Sequence, residues 1–84
     1  MKSIRLSAHA REQCSLRGVS EEEVILTIRE GEREAVKLGR ILYRYNHEFD
    51  GTWRGCRYAI KQVAAVVAEE MDELVVVTVY SFYY

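Results

Sequence analysis

The chain has 84 residues, 49% of them apolar and 30% charged, with a formal net charge of -1. That balance describes one folded domain over residues 1–84 rather than a disordered chain, and no run approaches the ~18 apolar residues of a helical membrane span. A domain this small buries only about 60–65% of its unfolded surface, so a partner chain would add stability.

Charge is segregated along the sequence. Residues 1–18 carry four cations and one acid, 19–34 two cations and six acids, 35–62 six cations and two acids, and 63–84 four acids alone. Clustered Lys and Arg point toward a polyanion such as RNA, while a pI near 6.1 points away from one. Cys14 and Cys56 lie far apart, without a Cys-x-x-Cys pair or a His at zinc spacing. They read as reduced thiols, with no metal site and no cofactor implied. The opening MKSIR lacks the apolar core of a signal peptide, which predicts a cytoplasmic protein.

Ser3 to Leu6 alternates as a brief strand, and Ser7 offers an N-cap to a helix from Ala8 to Arg17, which Gly18 ends. Ser20-Glu21-Glu22-Glu23 has the form of a capping box, with Val19 and Val24 set for a hydrophobic staple. The second helix that starts there turns Val24, Ile25 and Ile28 inward and stops at Gly31. Glu32 to Lys37 is weakly patterned, and Leu38-Gly39 reads as a turn. From Arg40 to Tyr45 alternation returns, with Ile41, Tyr43 and Tyr45 on one face and Arg40, Leu42 and Arg44 on the other. Asn46 to Gly55 is polar and holds two glycines, so it reads as a loop or hairpin tip. Trp53 within it is either an anchor folded back on the domain or an exposed ring for a partner.

Arg57 to Tyr84 is a β-hairpin, two runs rich in Val, Ala and Tyr around an acidic break. A turn at Met71-Asp72 sets Glu69 opposite Leu74, Val67 opposite Val76, Val63 opposite Tyr80 and Lys61 opposite Phe82. One face then holds Tyr58, Ile60, Ala64, Val66, Ala68, Val75, Val77 and Val79, small and aliphatic, and is expected to be the core. The other holds Arg57, Lys61, Val63, Thr78, Tyr80, Phe82 and Tyr84 and is expected to be the working face. The whole reads as an α+β domain, with two N-terminal helices packed on one face of an antiparallel sheet of three to four strands.

The segments Ser7 to Glu12, Arg17 to Val24, Gly39-Arg40, Val66 to Glu69 and Val76 to Tyr80 resemble a small bacterial family, a domain of unknown function. That family is grouped with the RelE-like toxins among the barnase, EndoU, colicin and RelE folds. The resemblance covers nearly the whole chain and implies a RelE-like domain, RNA as substrate, an antitoxin-like protein as partner and endoribonuclease chemistry without metal. Such chemistry needs a base for the 2′-OH, a cation for the phosphorane and an acid for the leaving oxygen. His9, Lys61 and Tyr80 are the catalytic candidates it suggests, and Arg11, Arg17, Arg40, Arg44 and Arg57 the RNA-binding ones. Each also has an ordinary role open to it, His9 as a helix residue bonded to a strand and the arginines as partners of nearby acids. The second reading is a non-catalytic interaction module. In it Val76, Tyr80, Phe82 and Tyr84 on the last strand join two copies into a homodimer.

Overall fold

The first strand, β1 (Ser3–Leu6), buries Leu6 and leaves Arg5 exposed in the computed structural model, which describes residues 2–84. Ser7 has extended backbone, and its Oγ accepts from the Ala10 N–H to start α1 (Ala8–Arg17). The same residue ties this junction to the far end of the chain. Its N–H donates to the Val76 carbonyl and its hydroxyl to that of Val77. Gly18 closes α1 at φ 69°, and a Cβ there would lie 2.5 Å from the Trp53 ring. Backbone hand and close approach both demand glycine. The capping box forms as expected: Ser20 Oγ accepts from the Glu23 N–H, and the Glu23 carboxylate accepts from the Ser20 N–H, opening α2 (Glu21–Glu30). Val24 and Ile28 are buried as expected; Thr27 is buried beside them, and Ile25 is only half-buried.

Five strands form one mixed sheet in the order β1-β5-β4-β3-β2, rather than the three or four antiparallel strands expected. The additional edge strand is β2 (Glu32–Ala35), antiparallel to β3 (Arg40–Trp53). All four of its side chains are exposed, so it has no apolar alternation to announce it and is held by its backbone ladder. At the other edge β1 runs parallel to β5 (Glu73–Tyr83), and β4 (Cys56–Glu69) lies between β5 and β3. The expected turn at Leu38-Gly39 is present, both residues having positive φ.

Of the two readings of Asn46 to Gly55, the hairpin tip holds and the loop does not: the stretch carries β3 through to Trp53, which pairs with Cys56, and the turn itself is Arg54-Gly55. The Asp50-Gly51 pair, which reads as a turn, sits instead at a bulge between Glu48 and Gly51. Pairing with β4 overrides the polar composition. Trp53 is an anchor, stacked on Tyr83 with ring centres 5.0 Å apart.

The β4–β5 register begins as expected, Glu69 opposite Leu74 and Val67 opposite Val76, then slips at a bulge around Val77 so that Ala64 faces Tyr80 and Lys61 faces Tyr83. The faces are also the reverse of those expected on β4. Val63, Ala65 and Val67 lie under the helices with Val76, Val79 and Tyr43, whereas Ala64 and Val66 line the helix-free side. The run from Val63 to Ala68 is apolar at every position, so alternation there carries no information about which side is covered. Lys61, expected on the wet face, is buried at 6% exposure.

Ser20→Ala removes one half of the capping box and is expected to cost about 1 kcal/mol, read as a fall of about 4–8 °C in the thermal midpoint. An unchanged midpoint would mean that α2 does not depend on this cap.

Candidate functional site

Two helix ends meet the sheet at the centre of the covered face. The last carbonyls of α1 have no partner within the helix, and side chains from β4, β5 and the β3–β4 turn supply them. Arg17 O accepts from Ser81 Oγ at 3.0 Å and from the Tyr83 hydroxyl at 2.7 Å. Leu16 O accepts from Arg54 at 3.2 Å, and Gly18 O accepts from the Lys61 ammonium at 2.8 Å. Lys61 also donates to Glu23 Oε1 at 2.9 Å and lies 5.2 Å from the centre of the Phe49 ring. Burial alone would raise the Glu23 carboxyl, but the Ser20 N–H and the Lys61 ammonium outweigh it and hold the group below the ordinary carboxylate range.

One turn further along α2, Thr27 Oγ1 donates to the Glu23 carbonyl at 2.7 Å and lies 2.9 Å from His47 Nε2. With the hydroxyl proton committed to that carbonyl, Nε2–H is the donor to Oγ1. Burial lowers the His47 imidazole below its ordinary value; Glu23 opposes this shift and Lys61 adds to it. Among the described residues no buried side-chain nitrogen or oxygen lacks a partner. A fully satisfied network of this kind fixes geometry and leaves no polar atom free to meet a substrate.

The residues singled out from sequence do not converge. His9 sits at the start of α1, with Nε2 3.3 Å from Thr78 Oγ1. Lys61 is inside the helix-covered layer, and Tyr80, paired with Ala64, is on the opposite side of the sheet. Arg11, Arg44 and Arg57 are ion-paired with Glu21, Glu34 and Asp50. Arg17 bonds Gln13 on its own helix, and its guanidinium lies 5.2 Å from the Tyr80 ring centre, so these two do meet. Arg40 stands opposite Ala68 at the start of β3. Among the described residues no three His, Cys, Asp or Glu side chains gather to hold a metal ion.

A different arrangement is found on the helix-free face. Val36, Leu42, Ala64, Val66, Tyr80 and Phe82 line an open channel of about 460 Å³, with Arg44 and Gln62 at its side. Tyr80, Phe82 and Tyr84 keep 40%, 52% and 57% of their surface exposed. Leu42, an apolar residue in line with Arg40 and Arg44, was the sequence signal for this channel. His47 continues the inward line of Ile41, Tyr43 and Tyr45, and that continuation was the signal for its burial.

Fold and surfaces together define a small α+β domain with both helices on one face of a five-stranded mixed sheet and an uncovered apolar channel on the other. Residues 6–81 match the family described as a domain of unknown function, DUF4258, and the chain belongs to that family. No curated protein and no solved structure matches the sequence. No helix among the described residues is long and apolar enough to cross a membrane.

Lys61→Ala strands the Glu23 carboxylate and the Gly18 carbonyl. The expected loss is about 2 kcal/mol in denaturant titration, below the usual range for a one-sided break because Glu23 is partly open to water. A loss below about 0.5 kcal/mol would contradict the structural role.

Stability is also expected to fall in two steps on acidification. Below pH 6.5, the ordinary imidazole value, the unfolded chain takes up a proton that folded His47 resists. Below 4.5 the unfolded Glu23 carboxyl does the same against its depressed folded value. Both groups therefore stabilise the fold above their unfolded values and lose that contribution as pH drops through the folded ones. Unfolding midpoints for wild type and His47→Gln, taken from about pH 8 to about pH 3, should show the first step in the wild type alone.

Proposed function

We propose that this domain is a non-catalytic protein-binding module whose working surface is the helix-free face of the sheet. The observation that carries the reading is the apolar channel beside Tyr80 and Phe82, uncovered by any element of the described chain. A continuous apolar groove rimmed by charge is the usual form of a site for a protein segment.

The RelE-like reading rests on the resemblance of sequence segments. Its ribonuclease component draws little support. Lys61 is consumed by Gly18 and Glu23, and His9 and Tyr80 share no contact with it.

RNA binding without cleavage has one supporting observation, the Arg17–Tyr80 contact beside exposed Phe82 and Tyr84, which resembles a base-stacking platform. Electrostatics weighs against it. Arg5 and Arg44 on this side are committed to Glu73 and Glu34, which leaves Arg17 and Arg40. Among the described residues these two, neither with an acidic partner, offer about two phosphate contacts, against the roughly 6–10 that give strong salt-dependent binding. The channel therefore favours an apolar protein segment.

Random peptides displayed on phage and selected against the wild type are expected to be rich in apolar and aromatic residues, and to lose about tenfold affinity or more for a Leu42→Asp/Phe82→Asp double variant. Labelled single-stranded RNA at low salt is expected to show no saturable binding and no cleavage. RNA binding abolished by Arg17→Ala and Arg40→Ala, with peptide binding indifferent to the double variant, would overturn the proposal.

A further inference from the structure

We infer that a second copy of the same chain joins this domain edge to edge along β5, beside the open face. The inference rests on the reading of the helix-free face as a protein-binding surface and adds the strand edge that borders it.

The outer edge of β5 is covered by β1 only from Glu73 to Val76. Reciprocal bonds between Ile60 and Tyr84 fix the phase of the remainder. With Gln62 opposite Phe82 and Ala64 opposite Tyr80, the even-numbered residues turn their backbone groups toward β4. Val79, Ser81 and Tyr83 turn theirs outward. Among the described residues no strand and no backbone hydrogen bond takes up those outward groups. The bulge at Val77 creates this situation: it shifts the phase just where β1 gives way to Ser7, whose N–H and hydroxyl bond the Val76 and Val77 carbonyls and go no further.

The two outer edges of the sheet differ in kind. On the far side β2 is four residues long and reads Glu32-Arg33-Glu34-Ala35, short and charged as strand edges that resist pairing usually are. From Leu74 to Tyr84 there is no charged residue and no proline, so β5 carries neither safeguard.

The edge is also self-complementary. Antiparallel pairing about a two-fold axis through Ser81 sets Ser81 against Ser81 of the second copy and Val79 against its Tyr83. On the open face, Tyr80 lies beside Phe82 of the second copy. No position brings like charges together, and the aromatic pairs are of the kind that stabilise adjacent strands. The Arg17 guanidinium, 5.2 Å from the Tyr80 ring centre, has to swing aside, and Phe82 of the second copy takes its place. The two apolar channels then lie on one continuous sheet surface.

The test is mass by light scattering across micromolar concentrations for the wild type and Ser81→Pro. Proline at position 81 removes an N–H that the β4–β5 ladder does not use, and with it the Oγ donor to Arg17 O, which keeps the Tyr83 hydroxyl, so the monomer should keep its circular dichroism while the edge loses a donor. The expected result is a concentration-dependent dimer for the wild type and a folded monomer for Ser81→Pro. Should Ser81→Pro fail to fold, amide exchange on the wild type decides: protection at Val79, Ser81 and Tyr83 that rises with protein concentration supports the edge pairing, and protection independent of concentration overturns it. A wild type monomeric throughout, or a folded Ser81→Pro that remains dimeric, overturns it as well. A monomeric wild type that still selects apolar peptides would remove the dimer and leave the protein-binding reading of the face intact.

Discussion

The carbonyl end of α1 is the constraint on which the rest of this small domain depends. A helix that ends against a sheet leaves its last carbonyls without partners inside the helix, and those shielded from water cost about 1–3 kcal/mol each if they find no donor. Here Arg54, Ser81, Tyr83 and Lys61 supply donors to Leu16, Arg17 and Gly18. Because these donors come from β3–β4 and β5, meeting the requirement also sets where the long hairpin lies beneath the helices. Glycine at position 18 follows from the same contact, since Trp53 and Tyr83 occupy the space a side chain would need. Lys61 joins this end of α1 to the start of α2 through Glu23, so one ammonium serves both helix termini.

Much of the helical half was legible in the sequence, because capping is local chemistry. Ser7, Gly18 and the Ser20–Glu23 box sit where the chain turns, and each acts as its residue type suggests. The sheet was legible in outline and misread in face. Two neighbouring signals misled: the run from Val63 to Ala68 is apolar on both sides, and Lys61 is a residue type that belongs in water unless paired. Its partners are Gly18 and Glu23, 43 and 38 positions away, and periodicity cannot see pairing at that distance. The bulge at Val77 then reversed the remaining parity on β5, which returned Val79 to the core. Strand β2 escaped notice for a different reason, as its exposed side chains leave no hydrophobic pattern to read.

The division of labour between the two sheet faces follows from this arrangement. Polar groups on the covered side are matched to one another and to helix ends, so their chemistry is spent on folding. On the side without helices, Leu42, Phe82 and the adjoining strand edge are left uncovered among the described residues, and the proposed binding surface lies there. Membership of the DUF4258 family fixes the relatives of this domain, while the activity inferred for it comes from the asymmetry between its faces.

That asymmetry rests on Lys61 being a structural residue sealed beneath Gly18 rather than a cation offered to a ligand. Brief amine-reactive labelling of the native protein, followed by peptide mass mapping, tests it directly. Lys37 is expected to label readily and Lys61 to stay protected until the protein is unfolded. Labelling of Lys61 at the rate of Lys37 in the native state would contradict the account.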